Sequence, residues 1–344
     1  MSIATGRGFS LFSRGQLAVL ALLAATPLID LAFPSLQLSA PMRTVVTSAI
    51  MALGLNIVVG WTGLLNLGIA AFAAIGAYAF GILTCEIYPF QVGFWWGVVL
   101  AGAFGAFGGW LLGAPTLRLR GDYLAIVTLG FGEIVQDGLK NLEAITKGTQ
   151  GINPLPAPSL GGMPFSGETP VRWFYVYLAF LAVIVFLCRN LEFSRLGRQW
   201  FAVREDELAA RCMAIEPDKA KLKAFAIGAA LAAIAGALGA SLLSSTGEPA
   251  NYDFQVSILA LCIVIVGGIG SITGILVGAI VMVGLNNVVL PIATQAMQRA
   301  GIGSTGNVLS SPDNYKYLIF GLALVLMMRY RPDGIVHSRK AVRK

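Results

Sequence analysis

The chain predicts an all-α polytopic membrane protein, a bundle of about ten transmembrane helices with its N- and C-termini on the cytoplasmic side. Three observations carry that prediction. Hydrophobic residues make up 56% of the 344, and the mean hydropathy of +0.76 exceeds what a soluble globular chain tolerates. They gather into runs that approach the roughly 20 residues a helix needs to cross a bilayer. The basic residues between those runs fall mostly on one side. Residues 1–344 therefore read as a single membrane-embedded domain.

The runs are taken in order. Residues 17–33, LAVLALLAATPLIDLAF, resemble a cleavable signal, but the many later spans favour a retained first helix. Segments 43–60 and 66–84 follow, separated by a Trp-Thr-Gly break. Segment 93–113 carries small residues at every fourth position, Gly93, Gly97, Ala101, Gly105, Gly109 and Gly113, which line one helix face. Such a groove lets a neighbouring backbone approach closely. Segments 122–139 and 173–189 come next. The run 222–244 repeats the ladder with Gly228, Ala232, Gly236 and Ala240. Segments 254–270 and 274–292 flank a third ladder at Gly270, Gly274 and Gly278, and 315–330 precedes the basic tail.

Orientation follows from Lys and Arg. With the N-terminus inside, the inner side collects Arg7, Arg14, Arg118, Arg120, eight cations between Arg189 and Lys223, and six from Arg329 to Lys344. That is 18 of the 24, and the outer side keeps Arg43, Lys140, Lys147, Arg172, Arg299 and Lys316. The net charge of +7 is thus read as cytoplasmic loops facing a lipid bilayer, with no nucleic acid implied. Residues 140–172 become an extended outer loop, too rich in Gly and Pro for a regular helix. It serves as a lid, a docking surface for an external partner, or a spacer.

Polar groups inside the spans mark a candidate translocation path. A carboxylate at the bilayer centre costs a few kcal/mol or more, so it faces water, a partner or a substrate. Glu133 and Asp137 lie one turn apart in 122–139, and Glu133 is the deeper; pathway lining and structural pairing both suit it. Asp30 and Asp137 sit near outer ends. Asn66 follows the Trp-Thr-Gly break, at either a re-entrant turn or a tight inner hairpin.

Several chemistries are missing. The four cysteines show no CxxC pair, and His337 is the only histidine, so no metal centre is expected. There is no GxxxxGK[ST] phosphate loop, HExxH or GxSxG, so no enzyme and no cofactor is expected.

Against this apolar background Cys188 to Lys223 is a charged island. Within it Asp206 to Ile215 reads as a short amphipathic helix, with Leu208, Cys212 and Ile215 on one face and a favourable Glu207–Arg211 pair on another. Glu205 and Asp206 suit its N-terminus, and Pro217 is expected to end it. The helix either lies flat on the membrane or presses into a groove on a cytoplasmic partner.

The island segment SRLGRQWFAVREDELAARCMAI resembles the cytoplasmic coupling loop of ABC importer permeases. It is most similar to the branched-chain amino acid permease family of the LivM type. GLLNLGIAAFAAIGAY (63–78), LRLRGDYLAIVTLGFGEIVQDGL (117–139), GGIGSITGILVGAI (267–280) and RPDGI (331–335) agree, in order, over about residues 43 to 335. Two positions depart from the family pattern. Ala214 stands where Gly is usual, and Lys147-Gly-Thr-Gln-Gly-Ile152 replaces a Gly-Gly-Pro-x-Gly-Ile pattern.

The resemblance implies a bacterial inner-membrane permease working with a second, homologous permease, two cytoplasmic ABC ATPases and a periplasmic binding protein. Residues 189–221 would form the cytoplasmic coupling loop, with Arg204, Glu205, Asp206, Glu207, Leu208, Arg211 and Ile215 meeting an ATPase. The cargo would be branched-chain or related amino acids. Related permeases for urea and short amides are similar enough to leave that alternative open, and an ion-coupled secondary transporter remains a rival on composition.

Overall fold

The computed structural model describes residues 13–32, 39–116, 122–157, 159–160, 163–164, 170–289, 316–331 and 334–336. Asp30 falls on a helix whose side chains there are not described. Arg7, Arg118, Arg120 and the tail cations from Arg339 onward lie outside the described residues.

Helices dominate. They are α1 (Arg14–Ala32), α2 (Ser39–Asn56, continued by a π-turn at Ile57–Trp61), α3 (Ile69–Thr84), α4 (Phe94–Thr116), α5 (Asp122–Asn141) and the single turn α6 (Glu143–Thr146). Then come α7 (Pro170–Phe193), α8 (Arg195–Glu205), α9 (Glu207–Cys212), α10 (Pro217–Leu243), α11 (Phe254–Gly267), α12 (Ile272–Gly284, continued by a π-turn at Leu285–Val289) and α13 (Lys316–Tyr330). A two-residue antiparallel pair joins Ser159–Leu160 to Met163–Pro164.

Each apolar run coincides with a helix, because backbone polar groups in lipid must be satisfied within the segment. Five helical stretches are both long and apolar enough to cross a membrane: Pro41–Trp61, Phe94–Thr116, Arg172–Phe193, Pro217–Leu243 and Pro249–Gly267. Gly15–Pro27, Ile69–Thr84 and Ile272–Asn287 are apolar but shorter. At about 1.5 Å per residue, the 16 residues of α3 fall short of a bilayer core.

The glycine ladders explain the packing. Helix α10 is the centre, touching α2, α3 and α4 through small residues. A Cβ on Gly228 would lie 2.8 Å from the Gly54 carbonyl oxygen of α2, and one on Gly109 would lie 2.8 Å from the Phe225 carbonyl oxygen. Gly76 and Gly236 sit directly on the backbones of Ala233 and Ala73 where α3 crosses α10. The helices approach as closely as backbones allow, which raises dispersion contact without any side chain between them. The opposite face of α4 exposes Trp96, Val99, Phe104, Phe107, Trp110 and Leu111. Its small residues go inward and its aromatics outward.

Two breaks position the polar groups. The π-turn at Ile57–Trp61 is braced by Gly270, whose N–H donates to Asn56 Oδ1 at 2.8 Å and whose carbonyl accepts from Trp61 Nε1 at 3.4 Å. Segment 63–68 then runs without helix into α3. On the other side of the chain, the 3-10 turn Pro249–Tyr252 leads into α11, whose N-cap Asp253 accepts from the Val256 N–H at 3.2 Å.

Candidate coupling island and polar pathway face

The island is the end of α7, two short helices and the first turns of α10. Ser194 caps α8, its Oγ accepting from the Gly197 N–H at 3.2 Å. Helix α8 is anchored by Trp200, which is fully buried, donates from Nε1 to the Ala220 carbonyl at 2.8 Å and stacks on Trp61 with ring centroids 5.9 Å apart. Asp206 separates α8 from α9 in an extended conformation. Its Oδ1 accepts from the N–H groups of Leu208 and Ala209 at 2.8 and 3.0 Å. These two contacts satisfy orphan donors of the first turn, the role short acidic side chains fill at helix starts.

The end of α9 corrects one expectation. The helix stops at Cys212 rather than at Pro217. Ala214 adopts φ +58°, its N–H donates to the Arg211 carbonyl at 3.1 Å, and the Ile215 N–H reaches back to the Ala210 carbonyl at 3.1 Å. This is a Schellman closure with Ala at the left-handed position that Gly usually takes. Pro217 is the first residue of α10, where its missing N–H costs nothing. The charged residues from Asp218 to Lys223 are therefore helical.

The expected coupling residues divide into two groups. Arg204 is exposed, yet its guanidinium donates to the Gly60 carbonyl in the π-turn. Glu207 pairs with Arg211 at 3.1 Å, as its spacing predicts, and with Lys221 at 2.7 Å. Lys221 is only 5% exposed. The hydrogen bond from Lys221 holds the Glu207 carboxyl below its ordinary range. Ile215 is partly buried against the core. Glu205 and Leu208 face outward, Leu208 with 73% of its surface free. Just after α9, Met213 is 77% exposed, a residue that the helical spacing of α9 did not single out. A flexible apolar side chain immediately before a left-handed turn was the available signal.

Between α2 and α3, Asn66 is buried and its Oδ1 accepts from the Gly68 N–H at 2.9 Å. Thr128 Oγ1 of α5 accepts from the Leu67 N–H at 3.0 Å, and Ser257 Oγ of α11 accepts from the Ala70 N–H at 3.1 Å. Three buried side chains from three segments thus satisfy the donors at the start of α3. Glu133 is different: it is exposed on α5. Near it on the same helix Gln136 is buried and donates to the Pro249 carbonyl at 3.2 Å, which fixes the 3-10 turn alongside α5. Asn251 and Gln255, which flank the start of α11, are exposed. Asp137 is exposed with Lys140 3.6 Å away. The structure brings Asn66 into the backbone scaffold and leaves Glu133 on an open face. Gln136, Asn251 and Gln255 are not singled out in the sequence, although Gln136, like Asn66, is an uncharged polar residue in an apolar run.

Three comparisons bear on identity. A family profile described as "Branched-chain amino acid transport system / permease component" matches residues 38–328. The chain belongs to that permease family. It is 39% identical over 308 residues to the high-affinity branched-chain amino acid transport system permease protein LivM of Salmonella typhimurium, covering 83% of this chain and 67% of that protein. The Escherichia coli LivM matches to the same extent. The E. coli permease LivH is 25% identical over 307 residues, 84% of this chain and 91% of LivH. No solved structure matches the chain significantly. These relatives are permease subunits of transport systems, and among the described residues no cluster of three potential metal ligands occurs.

Proposed function

We propose that the chain is the membrane permease subunit of an ATP-driven ABC importer for branched-chain or related amino acids in a bacterial inner membrane. It pairs with a second homologous permease, draws energy from two cytoplasmic ATPases and receives cargo from a periplasmic binding protein. The observation that carries this reading is the island: a capped helix that presents Leu208 and Met213 to solvent on a chain lacking a phosphate loop. Exposed apolar side chains ringed by charge mark a protein contact.

The topology that goes with it has about ten crossings, both termini and residues 189–221 in the cytoplasm, and 140–172 outside. The Lys and Arg distribution supports it. The α5 face carrying Glu133 meets the second permease across the translocation path, because lipid would leave that carboxylate uncovered at a cost of a few kcal/mol. Asn66 acts on the path indirectly, by holding the start of α3.

Reconstitution tests the proposal. The chain is placed in proteoliposomes with the second permease, the ATPases and the binding protein, and uptake of labelled leucine, isoleucine and valine is followed. Uptake that needs ATP and the binding protein is the expected result. Uptake driven by an ion gradient alone overturns it, and competition by urea or acetamide moves the cargo to the short-amide class.

A further inference from the structure

Glu207 was expected to meet an ATPase, yet both of its oxygens are occupied inside the permease. Oε1 accepts from Arg211 at 3.1 Å and Oε2 from Lys221 at 2.7 Å. The Lys221 ammonium is nearly inaccessible, with 6% of its side chain free, whereas Glu207 retains 27% and Arg211 50%. A buried ammonium is tolerated only with a partner, and Glu207 is the partner that the described residues show. The contact spans the left-handed turn at Ala214 and joins the six-residue α9 to the second turn of α10.

Helix α10 is the part of the bundle with the least room to adjust. Its backbone lies against those of α2, α3 and α4 through paired glycines and alanines. A short helix ordinarily frays, since six residues barely exceed the nucleus. Here its first turn is capped by Asp206, its last turn is closed by Ala214, and its side is fastened to α10.

We infer that Glu207 and Lys221 are a positioning pair that makes the docking helix α9 and the central helix α10 move as one body, so that force applied at Leu208 and Met213 enters the bundle along α10. Neither residue touches the ATPase or the cargo. The inference rests on the importer reading above, and it adds the route by which the energy reaches the membrane.

The test uses K221M, which keeps the length and apolar stem of the side chain and removes the charge while Glu207 still has Arg211. In the reconstituted importer, ATP turnover by K221M stays within about threefold of wild type while substrate moved per ATP falls at least about tenfold. The double variant E207Q/K221M loses no more than K221M alone, because the two act as a unit. A second readout needs no partner. Cys212 is the exposed cysteine among the described residues, with Cys85, Cys188 and Cys262 buried, so a nitroxide there reports α9 in the full chain in lipid nanodiscs. Its mobility rises in K221M. Unchanged mobility overturns the inference, as does normal uptake per ATP, or losses that add in the double variant. If K221M fails to assemble with the ATPases, the nitroxide result decides. Wild type that shows no ATP-driven uptake sinks the importer reading instead, and the mobility arm still judges the pair.

Discussion

The two ends of α10 are finished differently. At the Leu243 end the chain is sewn down. The Thr246 N–H donates to the Ile152 carbonyl at 3.1 Å, the Ile152 N–H donates to Thr246 Oγ1 at 2.8 Å, and the Leu155 N–H donates to the Ser244 carbonyl at 3.0 Å. Ile152 and Leu155 are buried there, and Cys85 Sγ bonds the Pro154 carbonyl at 3.3 Å. At the Pro217 end a short helix stands on caps and one buried ion pair, with Leu208 and Met213 bare. One end closes its own hydrogen bonds and buries Ile152 and Leu155, although Leu243 itself stays exposed. The other buries only Lys221 of its charged groups and leaves Leu208 and Met213 exposed in a segment where Glu205, Asp206 and Arg211 are exposed as well, the arrangement of a surface that expects a partner.

The largest effect should come from the bare end. Replacing both Leu208 and Met213 with Asp removes the apolar contact and adds two charges to it. ATP-dependent uptake is expected to fall by more than about tenfold, since desolvating unpaired charge at an interface core costs several kcal/mol. Thermal stability of the isolated chain should hardly move, because neither side chain is packed. Loss of stability equal to a core mutant would show that these residues belong to the fold, and the contrast between the ends would collapse.

The sewn end should respond in the opposite way. Thr246→Val keeps the shape and deletes the hydroxyl that accepts from the Ile152 N–H. A buried donor left without a partner costs about 1–3 kcal/mol. Fluorescence-monitored unfolding of the purified chain should register that loss, while substrate moved per ATP stays near wild type. A stable variant with poor uptake would instead make this segment part of the transport cycle.

How much of this was legible depends on the physics each residue obeys. Apolar runs read well because lipid leaves the backbone no option but helix, and the Glu207–Arg211 pair read well because i,i+4 spacing is local. The Glu207–Lys221 pair did not. It joins residues on either side of a turn, and that turn depends on Ala214 taking a conformation its side chain disfavours. Pro217 was ambiguous for a related reason, as proline suits the start of a helix and the residue after one equally. Asn66 was visible as a polar residue in an apolar run, but its part in the scaffold was not, because the neighbouring N–H groups of Leu67 and Ala70 are met by Thr128 and Ser257, which only the packing brings there. Thr128 and Ser257 themselves are ordinary residues in sequence, and only their unsatisfied neighbours give them a role.

The smallest expected effect links both ends through one device. Each has a non-glycine residue with positive φ where the family pattern carries glycine: Ala214 at +58° beside the island, and Lys147 at +62° closing α6. Both departures thus include a side chain on a left-handed backbone, at Ala214 and at Lys147. A left-handed alanine costs roughly 1 kcal/mol against glycine, partly offset because glycine also loosens the unfolded chain. Ala214→Gly and Lys147→Gly should each stabilise the chain by about 0.5–1 kcal/mol in thermal unfolding. They should then part company. Lys147→Gly lies in the segment that is already held by its own bonds, so uptake should not change. Ala214→Gly relaxes the hinge between α9 and α10, where the ion pair and the strained turn oppose each other's freedom. Stability should rise there while substrate moved per ATP falls by up to about twofold. A rise in both at Ala214 would mean that the strain contributes nothing to coupling, and that the ion pair alone holds the docking helix in place.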